Sequence, residues 1–288
     1  MDVGLVSFVI RLRNTPKRFL LECLKSALSQ TYNNIEIILV FDKGDPDKDA
    51  GIREVISGFH DERRLQVFYR EKGAGLSDAM NYGLMKSTGK FIAVLDADDK
   101  CSENRIERQL QYMLEKKLNF VGSWANIISE DGNVIARFKP PLSHIDIRNN
   151  VMIHNPFYHS SILYEKDILT KVGDYITYSG SEEYDFYLRV ISNGYKVGNV
   201  PEFLCYYRKW ESSFVTSSKW GQRKGYVKIK FNAIKKYHYL RLTDLFYAIL
   251  SLMVFFVPLG KENLASSTLG WYEIINTAQD SSQEKKID

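Results

Sequence analysis

Segments typical of strands and of helices alternate along the first hundred of the 288 residues, and this alternation constrains the fold more than any other feature. Apolar runs predict strands at residues 5–10, 35–41, 65–69 and 91–95. Amphipathic stretches between them predict helices at residues 19–30, 49–59 and 76–87. Strands joined through helices pair in parallel by right-handed crossovers. The sequence therefore predicts an α/β fold with a doubly wound, mostly parallel sheet.

The remainder of the chain has a less regular pattern. Residues 120–128 and 134–138 flank a Glu-Asp-Gly-Asn turn and predict a hairpin. Further strands are expected at residues 160–164 and 196–200, with a helix between them at residues 183–193.

Cysteine usage and the start of the chain bear on its location. Cys23, Cys101 and Cys205 are odd in number and form no Cys-x-x-Cys pair, which argues against a disulfide framework or a zinc site. The chain begins almost directly with a strand-like run, so no signal peptide is predicted. We therefore expect a cytoplasmic protein.

Charge is unevenly distributed, because residues 219–241 contain no acid and eight basic residues: Lys219, Arg223, Lys224, Lys228, Lys230, Lys235, Lys236 and Arg241. The uncharged residues 245–259 that follow are fewer than the ~20 needed to span a bilayer as a helix. A basic segment leading into an aromatic-rich apolar one is typical of an interfacial membrane helix, here residues 219–259. The alternative is a helix packed on the domain or on a second subunit, as in a homodimer. Nucleic acid is not an expected partner, because no nucleic-acid module accompanies the basic segment.

The fourth apolar run ends abruptly in Asp96, Asp98 and Asp99. Open α/β sheets bind ligands at the carboxyl ends of their strands. Asp96 and Asp98 point the same way if strand geometry persists, and paired carboxylates suit Mg²⁺ or Mn²⁺ shared with a substrate's phosphates. The alternative is that Asp99 or Ser102 caps a helix beginning near Asn104.

Between residues 5 and 215 the sequence contains several short motifs whose order along the chain is informative. They are Cys-Leu-Lys-Ser-Ala-Leu-Ser-Gln-Thr-Tyr at 23–32, Gly-Leu-Ser-Asp-Ala-Met-Asn-Tyr-Gly at 75–83, the aspartate strand at 91–99, Ser-Glu-Glu-Tyr-Asp-Phe-Tyr-Leu-Arg at 181–189 and Tyr-Tyr-Arg at 206–208. Each motif is weak alone, but together they resemble the family 2 nucleotide-sugar glycosyltransferases, which are inverting enzymes of the GT-A fold. The resemblance implies a GT-A domain at 1–215, made of a nucleotide-binding half (1–100) and an acceptor half (101–215). A basic and apolar helical region (216–278) and a disordered polar tail (279–288) would follow.

The resemblance also implies roles for single residues. Asp98 would bind a divalent metal, Mn²⁺ or Mg²⁺, and Glu183 would be the general base. Contacts to the nucleotide-sugar would come from Leu12, Arg13, Asn14, Asp42, Gly75, Ser77, Asp96 and Ala97. An aspartate suits the imide N–H of uracil, which favours a UDP-sugar through Asp42. The alternatives are that Gly75 and Ser77 form a simple helix cap, and that Glu183 is an acid favoured by the helix dipole.

Acceptor-side or secondary roles fall to Glu182, His159, Trp210 and Asp99. His154 would also face the acceptor, although either histidine could equally be structural. Asp185 and Arg189, four residues apart on the predicted helix, are expected to pair.

The chain departs from the family pattern at several positions. Arg11, Leu12 and Arg13 replace the usual Pro-Thr-Tyr, and the extra arginine would suit the donor diphosphate. Glu183 replaces an aspartate, and Trp210 replaces the histidine that can complete the metal site. Glu211 or water would then complete the metal shell, and Trp210 would offer a flat face for stacking on a sugar.

The function expected from these features is inverting, metal-dependent sugar transfer to a lipid-linked or polysaccharide acceptor at the cytoplasmic membrane face. A non-catalytic subunit that binds nucleotide-sugars, or acts as a scaffold, is the alternative that the departures favour. A nucleotidyltransferase is disfavoured, because no Gly-rich phosphate loop ending in Lys is present.

Overall fold

The computed structural model describes residues 3–71, 75–178, 180–210, 219–256 and 271–275. The predicted alternation is present at the start of the chain, and every element lies within three residues of its predicted bounds. The elements up to residue 94 are β1 (Val6–Leu12), α1 (Lys17–Leu28), β2 (Ile35–Asp42), α2 (Pro46–Ser57), β3 (Leu65–Arg70), α3 (Leu76–Lys86) and β4 (Phe91–Val94).

These four strands form a parallel sheet in the order β4-β1-β2-β3. Helices cover both faces, because successive residues of β1 enter different clusters: Phe8 and Ile10 pack with α1, and Val9 packs with α3. Close contact with α3 depends on Gly83, where a Cβ atom would lie 2.5 Å from Val9 Cγ1. The carboxyl ends of β1, β2 and β4 therefore meet at one edge, where Asp42 and Asp96 also lie.

The second half adds strands of both directions. Its elements are β5 (Lys100–Cys101), α4 (Arg105–Lys116), β6 (Phe120–Ile128), β7 (Val134–Phe138), α5 (His144–Asn150), β8 (Leu163–Glu165), α6 (Ile168–Val172), α7 (Glu182–Ser192) and β9 (Val197–Arg208). The predicted hairpin is confirmed, since β6 and β7 pair antiparallel. Antiparallel β8 lies between β4 and β6 and joins the two halves into one sheet.

Two predicted strands have different bounds in the structure. Residues 159–161 form a 3₁₀ turn, so the strand predicted at 160–164 is confined to β8. The strand predicted at 196–200 continues as the twelve-residue β9. Pro201 lies inside this strand although it has no N–H to donate to a ladder. The strand instead skips two residues in its pairing with β6, from Val200 opposite Ser123 to Phe203 opposite Trp124.

The C-terminal region contains α8 (Lys219–Tyr237), α9 (Leu242–Leu250), a 3₁₀ turn (Ser251–Phe256) and β10 (Tyr272–Ile274). The helical prediction for 216–278 is wrong at β10, which pairs antiparallel with the open edge of β7. Helix α8 packs one side on the domain, with Ile229 and Ala233 in the same core as α7, and membrane binding by residues 219–259 stays a prediction. None of the described helices is long and apolar enough to cross a membrane. Residues 257–259 of the apolar run and the tail at 279–288 lie outside the described residues, and the division at residue 215 stays a prediction.

Candidate active site

The three aspartates lie on a tight turn beyond the end of β4. Strand geometry stops at Val94, and the Asp99 N–H donates to the Asp96 carbonyl at 3.0 Å. The condition under which Asp96 and Asp98 were expected to point the same way, a strand continuing through them, is therefore not met. Asp96 and Asp99 both accept from the Ser160 hydroxyl, whereas Asp98 faces Trp210.

The Asp96 carboxylate is enclosed by basic groups of this chain. Arg11 Nε at the end of β1 lies 3.0 Å from Oδ1, and His159 Nδ1 lies 3.4 Å from Oδ2. Burial alone would favour the neutral acid, but Arg11 and His159 outweigh it and hold the pKa of Asp96 far below its usual range. Asp96 is thus a fixed anion, and Arg11 is bound to a carboxylate beside the expected diphosphate site.

Asp98 has less compensation for its charge. Its Oδ2 accepts from Trp210 Nε1 at 2.8 Å, and Arg208 Nε binds its carbonyl rather than its carboxylate. Burial and the charge of Asp96 raise the pKa of Asp98. The Trp210 ring lies edge-on to Phe19 at 5.5 Å, so the indole orients the aspartate in the position where the family pattern has a histidine.

Asp99 is buried and ties the turn to β9. Its Oδ1 accepts from the Arg208 N–H at 2.8 Å, while the Arg208 guanidinium pairs with Glu22 at 2.6 Å. Burial, followed by the charges of Asp98 and Asp96, raises the pKa of Asp99 well above its usual range. The helix-cap alternative is wrong, because α4 has Asn104 at its cap position and Ser102 donates to the carbonyl of Phe203.

The residues at this turn fit a divalent cation that is shared with a substrate. Among the described residues, no three His, Cys, Asp or Glu side chains could hold a metal by themselves. Mg²⁺ at phosphate sites usually takes only one or two protein carboxylates and completes its shell with water and phosphate oxygens. Asp98 can supply one such carboxylate: burial, followed by the charge of Asp96, raises its pKa, and a bound cation would offset the charges of both aspartates. Glu211 lies outside the described residues.

Glu183 lies in the first turn of α7. Ser181 stands at the N-cap position with φ 64° and makes no side-chain cap hydrogen bond, and Glu182 accepts from the Gly180 N–H at 3.2 Å. Burial raises the pKa of Glu183, while the nearby charges of His159 and Arg11 act in the opposite direction. The charges of Arg11 and His159 therefore act to lower the pKa of both Glu183 and Asp96, although these two carboxyl groups are far apart in sequence.

The nucleoside side of the site is built at the ends of β1 and β2. Asp42 is buried, and Arg70 Nε donates to its Oδ1 at 2.7 Å. Asn14 has φ 56°, and its side-chain oxygen accepts from the Asp45 N–H at 2.8 Å. Three further predicted positions share this edge: Leu12 and Ala97 are buried, and Arg13 is exposed.

The N-terminus of α3 contributes two more of the predicted nucleotide-sugar contacts, Gly75 and Ser77. Gly75 is its N-cap residue with φ 114°, a conformation that glycine adopts without strain, and a Cβ there would meet nothing within 4 Å. The buried Ser77 hydroxyl has no hydrogen-bond partner among the described residues. A cap by Ser77 is therefore not formed, and its hydroxyl remains able to bind a ligand oxygen at a helix N-terminus. Residues 72–74 of the preceding loop lie outside the described residues.

The two histidines predicted on the acceptor side, His154 and His159, have different surroundings in the structure. His154 lies 5.6 Å from the Trp271 ring, and burial with the charge of Lys230 lowers its pKa to about 4. His159, in contrast, contacts Asp96. Asp185 and Arg189 pair as expected, at 2.8 Å.

Sequence reasoning missed three residues that organise the site: Ser160, Arg208 and Arg70. Arg208 stands in a recognised motif and Ser160 follows a candidate histidine, so both carried a weak signal. Arg70 at the end of β3 carried none, because its pairing with Asp42 depends on the order of the strands.

Comparison with known proteins gives consistent matches. The profile described as Glycosyl transferase family 2 matches residues 7–173. An uncharacterised glycosyltransferase of Methanocaldococcus jannaschii is 31% identical over 211 residues, which are 72% of each chain. The amylovoran biosynthesis glycosyltransferase AmsE of Erwinia amylovora is 36% identical over 200 residues, 69% of this chain and 74% of that one. The O-antigen biosynthesis glycosyltransferase WbnJ of Escherichia coli is 32% identical over 64% of this chain and 72% of its own length.

Solved structures share the fold at lower identity. TarS of S. aureus (residues 1–349) in complex with UDP-GlcNAc superposes with a TM-score of 0.66 at 14% identity, over 84% of this chain and 69% of that one. The mannosyltransferase PcManGT of Pyrobaculum calidifontis, in complex with GDP-Man and Mn²⁺, has a TM-score of 0.60 at 15% identity, over 92% and 78%.

Proposed function

Because this chain belongs to glycosyl transferase family 2, we propose that it is an inverting enzyme in which Glu183 is the general base. The single observation that carries the proposal is the position of Glu183 near the two basic groups, Arg11 and His159, that hold Asp96. It supports a role for Glu183 as proton acceptor at the edge of the sheet where the carboxyl ends of β1, β2 and β4 meet.

The proposed donor is a nucleotide-sugar, with UDP as the nucleotide. TarS and PcManGT are seen with UDP-GlcNAc and GDP-Man, which supports the donor class but not the base. Arg70 orients the Asp42 carboxylate, which keeps further lone pairs that can accept the imide N–H of uracil. The Ser77 hydroxyl at the start of α3 would bind a ribose or phosphate oxygen.

The proposed cofactor is Mn²⁺ or Mg²⁺ at Asp98. When bound, such a cation supplies positive charge that offsets the diphosphate leaving group. Trp210 holds the Asp98 carboxylate in one orientation, and Arg11 neutralises Asp96, so that the turn does not repel the donor with three uncompensated charges.

In the proposed reaction, the acceptor hydroxyl attacks the anomeric carbon from the face opposite the diphosphate. A bond forms from the acceptor oxygen to that carbon, the bond to the diphosphate oxygen breaks, and the proton moves to Glu183. Burial keeps the pKa of Glu183 above that of an ordinary glutamate, which strengthens it as a base at neutral pH.

For the acceptor, we propose a lipid-linked or polysaccharide hydroxyl at the cytoplasmic face of a membrane. The relatives AmsE and WbnJ are named for amylovoran and O-antigen biosynthesis, which supports a glycan acceptor.

Exchange of Glu183 for Gln tests the base. We expect Glu183→Gln to lower donor turnover with Mn²⁺ by about 10²–10⁴-fold, while a thermal-shift titration still detects donor binding. Glu107→Gln is the matched control, because Glu107 also lies in the first turn of a helix, α4, and is exposed. Equal turnover by wild type and Glu183→Gln contradicts the role of Glu183. Donor binding without transfer by the wild type would favour a non-catalytic subunit.

A further inference from the structure

The C-terminal hairpin, which we define as residues 219–256, is fixed to the acceptor half. The rings of Tyr226 on α8 and Tyr184 on α7 stack at 5.5 Å. Tyr237 donates to Asp185 at 2.9 Å, and the Tyr226 hydroxyl donates to the Ile153 carbonyl at 3.1 Å. The hairpin is therefore part of the folded domain, and its position relative to α7 is set by buried contacts.

The outer face of α8 carries a basic stripe. We define this stripe as Lys224, Lys228, Lys235 and Lys236, all of which are exposed. Spacings of four and seven residues place the first three on one side of the helix. Trp220 and Phe231 are on the same side and are 47% and 38% exposed. Basic side chains interleaved with aromatic ones suit a surface where headgroups meet acyl chains.

The second arm of the hairpin exposes an apolar ridge, defined as Leu242, Leu245, Phe246, Ile249, Met253 and Phe256. Their exposure runs from 43% at Leu245 to 86% at Leu242. They recur at helical spacing, while Ala248 of the same helix is buried in the core. A contiguous apolar surface of this kind indicates an interaction site.

The two arms meet at one end of the hairpin, where Trp220, on the stripe side of α8, stacks on Phe255, the neighbour of Phe256 in the ridge, with 6.0 Å between ring centroids. Between residues 220 and 256 the sequence has a single acid, Asp244. It is buried and paired with Arg148 and Arg241, each at 3.1 Å. The described outer surface of the hairpin therefore carries basic and apolar side chains and no exposed carboxylate.

We propose that the C-terminal hairpin lies on a lipid bilayer that contains anionic phospholipid. The ridge would enter the boundary between headgroups and acyl chains, and the stripe would contact lipid phosphates. Charge complementarity favours this occupant over a second copy, because two copies would bring like-charged stripes together. The hairpin lies on the membrane and does not cross it, since no described helix is long and apolar enough.

Binding of the hairpin to a membrane would hold the proposed active site at a fixed distance from the bilayer surface. Glu183 directly precedes Tyr184, the residue through which α7 holds the hairpin. An acceptor anchored in the same bilayer would then present its hydroxyl to Glu183 repeatedly. This consequence rests on the proposed function, whereas binding to lipid does not, and the two can fail separately.

Vesicle flotation with the full chain tests the proposal without any substrate. We expect the protein to float with phosphatidylcholine vesicles containing about 30 mol% phosphatidylglycerol, and to bind at least about tenfold less to phosphatidylcholine alone. Added salt should weaken binding, because the attraction is screened within a Debye length. Equal binding to both vesicles, or none to either, overturns the proposal.

Paired variants test each part of the surface. Lys228→Glu with Lys235→Glu, and separately Phe246→Ser with Ile249→Ser, should each reduce binding by about tenfold or more. Matched controls elsewhere are Lys48→Glu with Lys116→Glu, and Met85→Ser with Leu114→Ser, which change exposed lysines and exposed apolar residues outside the hairpin. These controls should bind as the wild type does. Unchanged binding by either test pair overturns the proposal, as does a dimer in solution that the Phe246 and Ile249 variant dissociates.

Discussion

Arg11 connects the two chemical parts of the candidate site at the scale of single residues. It pairs with Asp96 at 3.0 Å, and its charge also acts on Glu183. Its position at the end of β1 follows from the parallel register, in which Arg11 lies opposite Val40 of β2. A single guanidinium therefore influences both the aspartate turn and the proposed base.

The pH dependence of turnover should report this coupling. As the proposed base, Glu183 would act only when ionised, and its raised pKa should place the acid limb of kcat/KM above the value of about 4.3 for a free glutamate. Arg11→Met removes a charge that favours the carboxylate, so the limb should move to higher pH. Steady-state rates across pH measure this shift.

Arg13→Met serves as the control for that profile, because Arg13 is exposed and does not act on Glu183 through a described contact. Its acid limb should coincide with that of the wild type. A limb that stays in place or moves to lower pH in Arg11→Met would show that Arg11 does not act on the base.

At the scale of elements, the contact of α3 with the sheet depends on close approach. Gly83 faces Val9 and Val40, and an added Cβ would lie 2.5 and 3.3 Å from their methyl carbons. Those branched side chains belong to buried strands and have little room to move. The geometry of the α3 N-terminus, with Gly75 and Ser77, follows from this packing.

We expect Gly83→Ala to lower the free energy of unfolding by about 1–3 kcal/mol through overpacking. Gly51→Ala in α2 is the matched control, since its Cβ would meet only the flexible Lys17 side chain at 3.4 Å. That change should be neutral or stabilising by up to about 1 kcal/mol. Urea unfolding measures both, and equal stabilities of the two variants would refute the packing argument.

For the whole molecule, the C-terminal hairpin adds a buried cation to the core. Lys230 is 3% exposed, Nζ donates to the Ile153 carbonyl at 3.3 Å, and burial lowers the pKa of Lys230 to about 7. In the unfolded chain the pKa returns to about 10.4. The unfolded state thus binds more protons between these values, so this group makes stability rise with pH across that window.

Lys230→Met should remove this contribution. The wild type should gain free energy of unfolding relative to Lys230→Met by up to about 1.4 kcal/mol per pH unit between about pH 7 and 10. Lys228→Met, at an exposed position on the same helix, should keep the wild-type slope. Parallel urea titrations measure the difference, and a pH-independent difference would show that Lys230 is solvated.

The sequence by itself determined the family, the GT-A fold class and the positions of the elements up to residue 94, and the comparisons confirm the first two. These depend on local periodicity and on motifs that a single segment carries. Asp96 and Asp98 were expected to point the same way only if the strand continued through them, and it ends at Val94. The sequence did not predict β10, because this short strand forms only by pairing with β7. The predicted roles of single residues, the homodimer and the metal stay predictions.

Only the tertiary structure decided which side chains meet. Arg11 and Asp96 are 85 positions apart, and Asp98 and Trp210 are 112 apart. Such pairs depend on the order of strands in the sheet and on the direction of each turn, neither of which local pattern encodes. The same holds for the exposed ridge, since the apolar run was visible in sequence but its uncovered face was set by how α8 and α9 pack.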